Sequence, residues 1–192
     1  MRLVAVRVPA AMNASTGTGV VRPARPDDWP AVAGLLVELR RGVTEASGGD
    51  PTHRMQFAGH IRRLDVVTIV AERDALVVGV LDMEYHQRLG DHRPQARLND
   101  LVVAGDVRRS GVGRALLATA EELARKRGCF RMALVTAGWR DDAQAFYGRE
   151  GWTPYGRWFV KALADDIAPS GEPVGSAAGD PAADGVARDT RA

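Results

Sequence analysis

The stretch RLNDLVVAGDVRRSGVGRALLATAEELARKRGC, residues 97–129, decides the fold. Leu98, Leu101, Val102 and Val103 form a short apolar run rich in β-branched residues, the pattern of a strand buried on both faces. From Val112 the period becomes helical, with Val112, Leu116, Ala120 and Leu123 on one stripe. Gly128 stands where a C-terminal cap is expected, and Arg125, Lys126 and Arg127 complement the dipole of the last turn. A strand passing through a loop into an amphipathic helix is half of a crossover. The run from Phe130 to Thr136 supplies the second strand, parallel to the first.

The loop between strand and helix carries the functional signal. No carboxylate lies between Asp106 and Glu121, while Arg108, Arg109 and Arg114 crowd the start of the helix. Open N–H groups and the macrodipole already make that end positive, so each added cation opposes the helix by about 0.3–1 kcal/mol. A bound anion reverses the sign. Ser110, Gly111 and Gly113 leave the backbone bare enough for a phosphate to reach the amides. A tight turn with solvated arginines would also account for the glycines, but the acid-free cluster favours a phosphate ligand. It is not a Walker loop, since no Lys lies near it, and Leu116 stands where a dinucleotide fingerprint needs a small residue.

The chain has 192 residues, a formal charge of +2 and one cysteine. One domain is expected, without an internal disulfide or a cysteine-based metal cluster, and the reducing cytoplasm is the natural setting. The arginines are interspersed with acids and form no stripe with aromatics, so nucleic acid is not an expected partner. No apolar stretch approaches membrane-spanning length, so no membrane association is expected. Residues 1–18 hold no acid and only the short apolar stretch Leu3–Val6 before a Ser/Thr/Gly run, and residues 164–192 hold no aromatic and are dominated by Ala, Gly, Pro and Asp. Both are expected as disordered tails around a domain of residues 19–163.

Within that domain, Val20–Arg22 reads as a strand, and Pro26–Trp29 starts a helix whose stripe is Val32, Leu35, Leu36 and Leu39. Phe57, Ile61 and Leu64 suggest a second helix, with His53 and His60 as surface residues. Residues 66–71 and 76–85 read as a hairpin. After the central helix and its strand, DDAQAFYGREGW opens with two acids and closes on Gly151, and Trp152–Tyr155 and Trp158–Leu163 look like two closing strands.

Arg108-Arg109-Ser110-Gly111-Val112-Gly113 matches Q/R-x-x-G-x-G/A, and the chain resembles the GNAT superfamily of acetyl-coenzyme A-dependent N-acetyltransferases. A second motif agrees: Ala143, Phe146, Tyr147, Gly151 and Trp152 match the family's A-x-x-F/L-Y helix with its Gly-aromatic pair. Departures are Arg109 where Gly is common, Arg140 where many members have Asn, and Asn99 where Glu is frequent.

The resemblance implies an α/β fold with a mixed, mostly antiparallel sheet, splayed between two parallel strands and flanked by helices on both faces. It implies acetyl-coenzyme A as co-substrate and no metal. Its pantetheine would lie on the backbone of Leu101, Val102 and Val103, and its pyrophosphate on Arg108, Arg109, Ser110, Gly111, Val112, Gly113 and Arg114. Tyr147 resembles the acid that protonates the leaving thiolate, and Asp100 and Glu84 resemble carboxylates that shape the amine site. The acceptor is a primary amine of a small molecule, peptide or protein, and a homodimer fits the family. A water in place of a carboxylate would serve as base equally well, and the alternative to an enzyme is a non-catalytic acyl-coenzyme A sensor.

Overall fold

Among the described residues six strands form one sheet in sequence order: β1 (Ala14–Thr16), β2 (Gly19–Pro23), β3 (Val66–Arg73), β4 (Leu76–His86), β5 (Gln95–Val103) and β6 (Met132–Leu134). Neighbours are antiparallel except β5 and β6, which run parallel as the crossover requires. The structure, a computed structural model, describes residues 14–16, 19–39, 44–156, 159 and 161. Internal contacts divide the chain into a unit of residues 1–135, which holds the sheet, and a unit of residues 136–192.

The helices of the first unit are α1 (Trp29–Glu38), α2 (Pro51–His60) and α3 (Val112–Lys126). The start of α2 is fixed by Asp50, whose Oδ1 accepts from the Thr52 amide at 2.7 Å, with Pro51 at the first helical position. At the end of α3, Gly128 at φ +80° lets its own amide reach Arg125 O (2.9 Å) and the Cys129 amide reach Ala124 O (3.0 Å). That is a Schellman closure, as the sequence leads one to expect.

Helices α1 and α2 pack Trp29, Val32, Ala33, Leu35 and Phe57 against Val70, Val80 and Val102 of the sheet. Helix α3 covers the other face. A Cβ on Gly79 would lie 3.1 Å from Leu116 Cδ1 and 3.2 Å from Val112 Cγ1, so Gly79 points at α3 while its neighbour Val80 points at α1. Burying Val112, Leu116, Leu117 and Leu123 on this face contributes about 1.5–3 kcal/mol each relative to exposure.

Several boundaries differ from the sequence reading. Residues 14–16 pair with β2, so the sheet begins inside the segment expected as a tail. The β3–β4 hairpin extends through Arg73 and turns on Asp74 (φ +51°) and Ala75 (φ +61°) alone. Positive φ at both central residues matches the strand twist, although Ala accepts it at a cost of about 1–2 kcal/mol. Strand β6 is shorter than expected and pairs only through Ala96↔Met132, Arg97↔Ala133 and Leu98↔Leu134, whereas β5 runs on to Val103. The parallel pair therefore splays at Leu98.

The second unit contains α4 (Asp141–Arg149), begun by two acids and closed by Gly151 at φ +84° with the Trp152 amide on Tyr147 O at 2.9 Å. Residues Trp152–Tyr155, expected as a strand, follow the closure of α4 as irregular chain. The second closing strand, expected at Trp158–Leu163, falls largely outside the described residues.

Candidate active site

Strand β5 leads through a short turn at Gly105–Val107 into the loop Arg108–Gly111 and then α3. Arg109 sits at φ +64° and Gly111, the residue before the helix, at φ +90°. Both lie in the left-handed region, which accounts for glycine at one position and makes arginine at the other a strained choice. Ser110 Oγ donates to Val107 O at 2.6 Å and pins the turn. Val112 is buried and anchors the helix, while Arg109, Ser110, Gly111 and Arg114 are exposed. The first helical hydrogen bond runs from the Ala115 amide to Gly111 O (3.0 Å), so the amides of Val112 and Gly113 precede the ladder at the positive end of α3.

This cradle fits a pyrophosphate: bare glycines, open first-turn amides and guanidinium groups, with no acid in the first turn. One detail modifies the acid-free reading. Arg108 pairs with Glu38 at the end of α1 and donates from Nε to Val103 O at 3.1 Å. Glu38 lies 70 residues away in sequence, beyond any local count of charges.

On the sheet face under α1 and α2 lies a cavity of about 260 Å3, lined by apolar side chains from both helices and by a polar patch on the strands. The patch is one row across three strands. Register puts Thr68 of β3 opposite Asp82 of β4, and Asp82 opposite Asp100 of β5. A register shift after Asp82 brings Asn99 to the same carboxylate. Asp82 accepts from Thr68 Oγ1 at 2.7 Å and from Asn99 Nδ2 at 3.1 Å, and its Oδ1 lies 2.9 Å from His60 Nε2 at the end of α2. The hydrogen bond to Asp82 holds the His60 imidazole above its ordinary pKa despite burial. The charges of Asp82 and Asp100 add to the rise and Arg63 opposes it.

Asp100 thus lines the cavity with Asp82, His60 and Thr68. Glu84 does not line it: it faces Arg97 across the β4–β5 ladder, Nη2 to Oε1 at 2.5 Å. Arg97 in turn donates from Nε to Asn99 Oδ1 at 3.3 Å, which orients the Asn99 amide toward Asp82. Tyr147 lies on α4 of the second unit, its ring 5.3 Å from Phe146 and 5.8 Å from Trp152. Sequence reasoning missed Asp82 and took His60 for a surface residue; the ring is instead fastened to a buried carboxylate. The available signal was an acid at an inward position of the strand Val77–Tyr85, where alternation with Val80 puts it on the core face.

The acetyltransferase (GNAT) family model matches residues 35–152. Aminoalkylphosphonate N-acetyltransferase of Salmonella typhimurium is 32% identical over 143 residues, covering 74% of this chain and 90% of that protein. Among solved structures, an acetyltransferase of Trypanosoma brucei superposes with a TM-score of 0.63 at 25% identity, over 74% of this chain and 98% of its own. AAC(6')-Iy, solved with the bisubstrate analogue CoA-S-monomethyl-acetylneamine, gives 0.64 at 20% identity, over 75% of this chain and 97% of its own. With a loop, a splayed sheet and a family match that agree, the chain belongs to the GNAT family of acetyl-coenzyme A-dependent N-acetyltransferases.

Proposed function

We propose that the acceptor amine binds in the cavity between α1, α2 and the sheet, and that the polar row Thr68–Asp82–Asp100 receives its ammonium group. The observation that carries this reading is the buried Asp82, held by Thr68 and Asn99 on the floor of a cavity whose helix walls are apolar apart from His60. A primary amine arrives protonated, with a solution pKa near that of Lys, about 10.4. The carboxylates hold and orient the cation, and the proton must leave before nitrogen can attack. Asp100 and Asp82 offer acceptors for it beside the β5 backbone, and water in the cavity mouth is the second route. Glu84, tied to Arg97, serves this reading as a support for Asn99.

Acetyl-coenzyme A supplies the acetyl group as a thioester. In this reading Leu101, Val102 and Val103 hold its pantetheine and the loop Arg108–Arg114 its pyrophosphate. Tyr147 delivers its phenol proton to the departing sulfur, an assignment that rests on the family motif and the phenol's chemistry. The whole cycle releases N-acetylamine and free coenzyme A, and we place it in the cytoplasm, where the single Cys129 stays reduced. The Salmonella relative's name makes aminoalkylphosphonates a second class of acceptor to test.

Gly113→Val tests the coenzyme half. A branched side chain in the first turn of α3 blocks approach to the amides, so calorimetric binding of acetyl-coenzyme A should disappear while the melting curve persists. Unchanged binding in a folded variant removes the loop from the site. Arg108→Ala should weaken binding less, since the amides and the other guanidinium groups remain.

A further inference from the structure

The cavity also carries information about which amines fit it. Its carboxylates are Asp82 and Asp100, its one basic side chain is His60, and no Lys or Arg is among the described residues that line it. The arginines nearest to this network are both committed to acids. Arg97 pairs with Glu84 and reaches the row only through Asn99, and Arg63 pairs with Asp65 at 2.6 Å. The Thr68 hydroxyl and the Asn99 amide also line it and both donate to Asp82, and the other described lining residues, Val32, Leu36, Phe57 and Val80, offer hydrocarbon and no hydrogen-bonding side chain.

Given the amine site proposed above, on which this step rests, we infer that the acceptor is a compact alkyl- or arylalkylamine with no anionic group on its skeleton, and that aminoalkylphosphonates are poor substrates. A phosphonate or carboxylate on a short chain would meet two carboxylates, with no guanidinium or ammonium among the described lining residues to face it and with the one imidazole, His60, already held on Asp82. Anionic groups are normally recognised by Arg forks or clusters of amide donors, and the described lining residues form neither. The apolar walls reward a hydrocarbon chain by taking it out of water. Asp82 and Asp100 still attract the ammonium of any amine, so discrimination comes from the far end of the acceptor.

The test uses the full-length chain with acetyl-coenzyme A and matched acceptors, butylamine against 3-aminopropylphosphonate and against 4-aminobutanoate, with coenzyme A release as the readout. Butylamine should have the higher kcat/KM by about tenfold to a hundredfold, the effect of one unfavourable charge at short range in a partly screened site. Asp82→Asn should lower turnover of butylamine and narrow that ratio. Binding to the unaltered protein is measured alongside by calorimetry: butylammonium should bind and propylphosphonate should not, which keeps the inference falsifiable if Asp82→Asn does not fold. Equal or better transfer to the anionic acceptors, a ratio unchanged in folded Asp82→Asn, or binding of propylphosphonate in preference to butylammonium overturns the inference and leaves N-acetylation standing. Transfer to neither class by a protein that binds acetyl-coenzyme A overturns the assignment of the amine site itself.

Discussion

Thr68→Val isolates the hydrogen bond on which the polar row depends. Thr68 is buried at 8% exposure and donates from Oγ1 to Asp82 Oδ1 at 2.7 Å. Valine has nearly the same shape and the same preference for strands, so the change leaves no cavity and does not disturb β3. It also removes the donor completely, so no unsatisfied hydroxyl is left behind. What is lost is one hydrogen bond to a charged acceptor, about 1.5–3 kcal/mol. Asp82 keeps Asn99 and His60, so the lower part of that range is expected. For a chain of this size the melting temperature should fall by roughly 3–8 °C. Urea denaturation of the wild type, Thr68→Val, Asp82→Asn and the double variant closes a cycle, and the coupling between the two sites should be at least about 0.5 kcal/mol. Thr68→Val within about 0.5 kcal/mol of wild type, or additive effects in the cycle, would refute the claim that Thr68 holds the carboxylate.

Tyr147→Phe keeps the ring contacts with Phe146 and Trp152, so acetyl-coenzyme A affinity should hold while kcat falls by about 10²–10⁴-fold; wild-type turnover would return Tyr147 to a packing role. His60 should titrate above about 6.5 by NMR, and Asp82→Asn, which removes the largest cause, should bring it down. Because the folded value is raised, the stabilisation from His60 is complete below about pH 6.5 and disappears as pH rises through the folded value, so a denaturation midpoint that does not decline across that window contradicts the pairing. Gly79→Ala pushes a methyl against Leu116, Val112 and Val102 O at 3.1–3.2 Å, and overpacking of about 1–3 kcal/mol should appear in the urea midpoint.

Periodicity and punctuation made most of the framework legible. The shift from β-branched run to helical stripe at Val112, the glycines closing α3 and α4, and the acids opening α4 are local signals, and the structure places those elements where they point. The turn from β5 into α3 was legible for the same reason, its motif being one contiguous string. The acceptor side was not, because Thr68, Asp82, Asn99 and His60 come from four elements and meet only through strand register and the packing of α2. His60 looks solvated in a helical wheel because its partner is 22 residues away. Asp100 and Glu84 were both taken from the family resemblance; Asp100 lines the cavity, and Glu84 does not. It shares a strand with Asp82, yet a cross-strand arginine engages it.

The pair Glu38–Arg108 gives α1 a second duty. The same helix that walls the amine cavity with Val32 and Leu36 ends on the guanidinium that also holds the Val103 carbonyl, next to the coenzyme cradle. On the proposed assignment of the two sites, movement of α1 on seating one substrate would reach residues that hold the other, and the two affinities would be linked. By reciprocity, whatever factor the amine contributes to coenzyme binding, the coenzyme returns to the amine. Both partners are partly exposed, at 55% and 38%, so this cooperativity should weaken as ionic strength rises.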